Sequence, residues 1–296
     1  MRRLIFAVIM VLILPISAFA AGMFFADKSG DEVLQSLIST KAQKFTVRTY
    51  SDDVSGVSVE YNIYLPEGYS AEKKYPAVFF VADASSVGKP VNYSLTQGYG
   101  ALVWPDECIV ISPAYPAAIR EEGKDFVTDK FIDLTERFVK WAVQNFSIDT
   151  SRVYATGQSM GCMTFLSLAA KNPEMFTACV FVSGQWDITE LRGLIVQKFI
   201  YITSAGDDKA STGQQEVIDM FSGANIPLVH YRNVNAKAPA LTIPAGQTQS
   251  FITFTAGTTL PDGTEGKYSE HMTSFDFAYR IAAVREWLLA QRKDND

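Results

Sequence analysis

The sequence predicts an α/β protein: a mostly parallel, twisted sheet of about eight strands with an antiparallel hairpin at its N-terminal edge and helices on both faces. Three observations predict it. Residues 45–51 and 57–65 alternate apolar and polar side chains with period two, the mark of half-buried strands. From residue 77 onward, short apolar runs alternate with longer helix-forming segments, which calls for right-handed crossovers between parallel strands. At 152–170 an apolar run ends in Gly157-Gln158-Ser159-Met160-Gly161 and passes at once into a run of small and helix-forming residues, so that strand, sharp turn and helix follow one another.

The elements follow in order. Arg2 and Arg3 precede an apolar run that ends in Ala18-Phe19-Ala20, the pattern of a secretory signal peptide over residues 1–20 with cleavage after Ala20; an uncleaved anchor is the alternative. Residues 21–44 form an N-terminal extension with a short helix at 31–42. The polar turn Asp52-Asp53-Val54-Ser55-Gly56 joins the two strands of the hairpin. After Lys73-Lys74-Tyr75-Pro76, residues 77–82 form an unbroken apolar run that suits a strand covered on both faces. Strands are then expected at 108–112, 153–156, 178–183, 199–203, and either 227–231 or 251–254. Helices are expected at 131–146, 161–171 and 213–221, with a helical turn near 189–194. A final helix over 274–292 places Phe277, Ile281, Val284 and Leu288 on one apolar stripe. No repeat or low-complexity linker divides residues 45–296, which are read as one catalytic domain.

The charge argues against two classes of partner. The full chain carries a net charge of −6, and without the two arginines of the leader 24 basic residues face 32 acidic ones. An acidic surface disfavours nucleic acid and adhesion to anionic lipid, so no stable membrane association is expected once the leader is gone. Cys108, Cys162 and Cys179 all lie in apolar surroundings. One disulfide among them, or three free buried thiols, fits an odd count. Their spacing carries no metal pattern, and the chemistry below needs no metal or organic cofactor.

Ser159 is the candidate nucleophile. A sharp turn would lift its hydroxyl clear of the sheet, and Gly157 and Gly161 stand where a Cβ would collide with the neighbouring strand or helix. In a parallel sheet, function gathers at the carboxyl ends of the strands. Only two histidines are present. His230 falls within an expected strand and reads as structural; His271 lies in a polar loop before the last helix and reads as the general base. The acid that would orient its imidazole should follow a strand, which favours Asp207, with Asp208 next to it and Asp187 as further choices.

With Ser159, Asp207 and His271 in this order, the chain resembles the α/β-hydrolase superfamily. Within it, the sequence is similar to secreted esterases and predicted peptidases related to polyhydroxybutyrate depolymerases and feruloyl esterases. The resemblance rests on Leu65-Pro66-Glu67-Gly68-Tyr69, Lys74-Tyr75-Pro76-Ala77-Val78-Phe79-Phe80, Gly157-Gln158-Ser159-Met160-Gly161, the Gly206-Asp207-Asp208 turn and Glu270-His271-Met272-Thr273, and runs from Phe45 to the C-terminus. It implies a serine esterase working through an acyl-enzyme on a small-molecule or polymer-linked ester. A peptidase of the prolyl-oligopeptidase type and a non-catalytic binding module on the same fold are the alternatives. The oxyanion hole is expected from the backbone N–H of Met160 and one from Asp83 or Ala84. Here the sequence departs from many relatives: Val81-Ala82-Asp83-Ala84 stands where they read His-Gly, and a carboxylate beside an anionic intermediate is awkward unless Asp83 points away or is neutralised. Tyr99, Trp104 and Trp186, with Tyr93, Leu102 and the long segment 236–250, are candidates for lining the substrate mouth, and packing within their loops is the commoner role of such aromatics.

Overall fold

The computed structural model describes residues 28–119, 129–264 and 266–293, so the expected signal peptide lies outside the described residues. Helix α1 (Glu32–Thr40) leads into a sheet made of β1 (Thr46–Ser51), β2 (Ser58–Tyr64), β3 (Tyr75–Val81), β4 (Ile109–Ala114), β5 (Ile148–Gln158), β6 (Ala178–Val182), β7 (Phe199–Ser204), β8 (Val229–Val234) and β9 (Gln249–Phe254). Their spatial order is β1-β2-β4-β3-β5-β6-β7-β9-β8. β1, β2 and β4 pair antiparallel, and all pairs from β4 through β3 to β8 are parallel. The helices are α2 (Asp129–Asn145), α3 (Met160–Lys171), α4 (Asp208–Gly223), α5 (Glu270–Arg280) and α6 (Ala282–Ala290).

The unbroken apolar runs have the predicted cause. Along β3, Ala77, Phe79 and Val81 enter one hydrophobic cluster, with residues of α2, α3 and α4. Val78 and Phe80 enter the other, under α1, α5 and α6. A strand with both faces covered has no polar position to alternate with.

Three expectations change. Both 229–234 and 249–254 are strands, so the described residues hold nine strands rather than about eight; β9 inserts between β7 and β8. Helix α4 starts at Asp208 instead of 213, because the Asp207 side chain caps it by accepting from the Ala210 N–H. The single final helix is two. It starts at Glu270 and breaks at Ile281, whose ψ of 107° is extended. The break lets Phe275, Ala278 and Tyr279 of α5 and Val284, Trp287 and Leu288 of α6 all turn inward, while Phe277 is only half-buried. Arg285 Nη1 covers the break by donating to the Tyr279 carbonyl at 2.5 Å.

The three cysteines are free and buried, which settles the disulfide alternative. Burial pushes the Cys108 thiol up to about 12 and raises Cys162 and Cys179 as well, so these side chains act as small hydrophobes.

The hairpin turn is held by a buried ion pair. Asp52, 2 % exposed, accepts from Arg137 of α2 through both oxygens at 2.7 Å and also from Ser55 and Tyr50. The Arg137 hydrogen bonds hold the Asp52 carboxyl far below the ordinary carboxylate range. A depressed folded pKa means that the unfolded chain binds the proton first. The stabilisation is therefore complete above the ordinary value near 4 and is lost as pH falls below it. Thermal melts from pH 7 to pH 3 should show that Arg137→Ala, which leaves a buried carboxylate unpaired, costs about 3 kcal/mol at neutral pH. Below pH 4 the gap to wild type should narrow.

Candidate active site

Strand β5 and helix α3 meet at Ser159, whose φ of 51° lies in the left-handed region. A non-glycine residue held there costs roughly 1–3 kcal/mol, so the surroundings must enforce it. Ser159 N–H donates to Val182 O at 3.0 Å, and the Ser159 carbonyl accepts from Met163 N–H at 2.9 Å. Glycines make the space. A Cβ on Gly157 would come within 2.4 Å of the Gly161 backbone, and one on Gly161 within 1.9 Å of Val81 O. A Cβ on Gly184, after β6, would lie 2.7 Å from Ser159 O.

Ser159 Oγ lies 2.8 Å from His271 Nε2, and His271 Nδ1 lies 2.6 Å from Asp207 Oδ2. The carboxylate can only accept, so Nδ1 carries the proton and Nε2 accepts from the serine hydroxyl. Asp207 is 7 % exposed and the His271 side chain 29 %, so the acid is sheltered while the imidazole reaches the surface. Phe275, one turn along α5, packs edge-on to the ring at 5.2 Å. The other carboxylates stay outside this chain of bonds. Asp208 is exposed at the start of α4, and the exposed Asp187 accepts from Thr189.

Asp83 is next to the elbow because β3 pairs with β5 in register, Val81 opposite Gly157. Its carboxylate is tied down: Oδ2 accepts from Gln158 Nε2 at 2.8 Å, and Oδ1 from Ser85 N–H at 2.9 Å. With both oxygens engaged and the residue 5 % exposed, the negative charge is held in place by donors. Ala84 follows as the first residue of a short 3₁₀ turn, half-buried. Met160 is the first residue of α3, where a helix N–H has no intrahelical acceptor.

Two expectations fail. Tyr99 and Trp104 are 1 % and 2 % exposed, and the surface cavity that they border, with Lys41, Asp106 and Arg280, includes none of Ser159, Asp207 and His271. The Tyr99 hydroxyl donates to Asp31 Oδ1 at 2.7 Å, and Trp104 Nε1 donates to Gly100 O at 2.7 Å. Both are packing residues of a loop folded under α1, as is the fully buried Leu102. Trp186 is half-buried beyond Gly184 and donates to Glu190 Oε2 at 2.8 Å. Tyr93 is half-buried beside Ala82, Asp83 and Gln158.

Four supporting residues had no signal of their own in the sequence. Ser183, at φ 47°, bonds Ser274 at 2.7 Å, and Ser274 Oγ donates to the His271 carbonyl at 2.9 Å. The Tyr201 hydroxyl donates to Gly184 O. Gln158 was visible only as the second residue of the pentapeptide. His230, by contrast, lies on the edge strand β8, with Nε2 2.8 Å from Thr253 Oγ1 and Nδ1 accepting from Arg232 Nε.

The Esterase family model matches residues 54–212, more than half of the chain. A probable acetylxylan esterase A of Aspergillus clavatus is 27 % identical over 184 residues, covering 57 % of this chain and 56 % of that one. The chain thus spans a little over half the length of this curated relative. A thermostable esterase of known structure superposes with a TM-score of 0.68 at 18 % identity, over 85 % of this chain and 64 % of that one. A ferulic acid esterase from Anaeromyces mucronatus, solved with ferulic acid, gives 0.51 at 17 % identity, over 81 % and 91 %. At these identities the likeness is one of α/β-hydrolase fold. Among the described residues no helix is long and apolar enough to cross a membrane.

Two outcomes test the geometry. Gly161→Ala should cost about 1–3 kcal/mol in chemical denaturation and abolish labelling by a fluorophosphonate, since Val81 O must move. His230→Ala should leave turnover within about two-fold, because His230 touches none of the site. Burial and then the Arg232 charge lower the His230 pKa from 6.5 to about 4. The folded chain therefore keeps a neutral ring where the unfolded one is protonated, and stability falls as pH drops from 6.5 towards 4. Urea melts across that window should show part of this loss missing in His230→Ala.

Proposed function

The chain belongs to the Esterase family, and from that premise we propose that it is a serine hydrolase, a secreted carboxylic ester hydrolase working through a Ser159–His271–Asp207 triad and an acyl-enzyme. The observation that carries the reading is the continuous chain of bonds at 2.8 and 2.6 Å from the hydroxyl on the elbow to a sheltered carboxylate. His271 Nε2 takes the Ser159 proton as Oγ attacks the acyl carbon, and Asp207 stabilises the imidazolium. The carbonyl oxygen becomes an oxyanion held by the Met160 N–H and one from Asp83 or Ala84. His271 then gives its proton to the departing alkoxide, which leaves as the alcohol. A water repeats the sequence on the acyl-serine and frees the acid.

Residues 45–296 form the catalytic domain in this reading, with residues 1–20 as the leader and 21–44 as an N-terminal extension. The relative named as an acetylxylan esterase, and the fold neighbour solved with ferulic acid, put acetyl and feruloyl esters on carbohydrate first among substrates to try.

The purified protein without residues 1–20, and its Ser159→Ala variant, are to be incubated with a fluorophosphonate and assayed on p-nitrophenyl acetate, methyl ferulate, acetylated xylan and peptide anilides. Wild type should be labelled and should hydrolyse esters in preference to anilides. Ser159→Ala should be unlabelled, with kcat lower by on the order of 10⁴-fold or more. A folded wild type that takes no label and hydrolyses nothing would put the binding module in first place.

A further inference from the structure

Three hydrogen-bond donors from two strand ends converge on one carboxylate next to the proposed base. Glu270 Oε2 accepts from Ser204 Oγ–H at 2.6 Å and from Thr259 Oγ1–H at 3.2 Å; Oε1 accepts from Gly257 N–H at 2.8 Å. Ser204 is the last residue of β7, and the turn that it opens carries Asp207, whose N–H donates to the Ser204 carbonyl at 3.0 Å. Gly257 and Thr259 belong to the exit of β9, and Thr259 Oγ1 also accepts from Thr273 Oγ1 of α5 at 3.1 Å. Glu270 is itself the first residue of α5 and the backbone neighbour of His271. Its negative charge suits a helix N-terminus.

The space for this contact is made by a glycine. A Cβ on Gly206 would lie 1.9 Å from Glu270 Oε1. Gly206 precedes Asp207 and has no positive φ, so its want of a side chain is explained by the carboxylate against it and not by the backbone. Ser204 and Thr259 are fully or almost fully buried, which leaves their hydroxyls little water to turn to if the carboxylate is removed.

We propose that Glu270 is a positioning residue: it clamps the Asp207 turn and the exit of β9 to the start of the His271 helix, and so sets the spacing between acid and base. The inference rests on the triad reading above. Catalysis is sensitive to such spacing, since a misplacement of about 1 Å can cost on the order of 100-fold in rate.

The experiment is steady-state kinetics on p-nitrophenyl acetate, or on the best ester of the panel, with melting curves for every variant. Glu270→Ala should lower kcat by about 10- to 100-fold with KM within about two-fold, and should slow fluorophosphonate labelling to match. Glu270→Gln should recover most of that loss, because its amide oxygen still accepts from Gly257 and its NH₂ can donate to Ser204 Oγ. Gly206→Ala, which displaces the carboxylate without deleting it, should lose kcat as Glu270→Ala does. In Glu270→Ala/Gly206→Ala the losses should not multiply. A Glu270→Ala kcat within about two-fold of wild type, or a double variant whose loss is the product of the singles, would overturn the proposal. Should Glu270→Ala fail to fold, a Gly206→Ala variant with wild-type kcat overturns it equally. Turnover that survives in Ser159→Ala sinks the triad reading instead, whatever the Glu270 variants do.

Discussion

A serine backbone held in the left-handed region between a strand and a helix is the constraint on which the rest of the site depends. Ser159 at φ 51° is strained, and the strain persists because three neighbours have no side chain. Gly157 lets α3 start directly over the end of β5, Gly161 lets α3 press on the β3 carbonyl of Val81, and Gly184 lets the exit of β6 close on the Ser159 carbonyl. Each contact joins a different strand to the turn. The parallel register of β3, β5 and β6 is thus what keeps the hydroxyl raised, and a shift of any one of them would release it.

The polar groups around the elbow are arranged so that few charges lack a partner. Asp207 has His271, Asp83 has Gln158 and Ser85, and Glu270 has Ser204, Gly257 and Thr259. Three carboxylates set beside residues of the elbow and the proposed triad would oppose the oxyanion of the proposed mechanism if they were free to turn. Fixed by donors, each has a set direction, and the field at the serine is decided before a substrate arrives.

The parallel sheet and the residues on its strand ends were legible because their signals are local. Apolar runs reveal strands buried on both faces, a pentapeptide reveals the elbow, and of the two histidines only His230 falls in a strand, while His271 sits in the first turn of α5 and not in the loop expected before it. What could not be read depends on contacts between distant segments. Tyr99 and Trp104 have the composition of a binding mouth, yet a helix some sixty residues earlier covers them, with Asp31 as the Tyr99 partner. The break at Ile281 is invisible to a helical stripe that continues through it, because it is imposed by packing on the sheet. Gln158 and Asp83 are 75 positions apart, so nothing near Asp83 announces the amide that holds it. Glu270 stood in plain view next to His271, but its three partners come from two other strand ends.

The triad geometry is also stretched far along the chain. His271 is 112 positions from Ser159, and α6 returns to the centre of the sheet, where the Tyr154 hydroxyl of β5 donates to the carbonyls of Leu289 and Gln291. The residues whose contacts shape the elbow, Val81 to Gly184, all precede His271, so a polypeptide made N-terminus first contains them before the imidazole has been synthesised. Such a nascent chain holds a serine with no base beside it. In the proposed mechanism its hydroxyl would have no proton acceptor until α5 and α6 dock, so that the capacity to cut esters would arrive together with the completed fold.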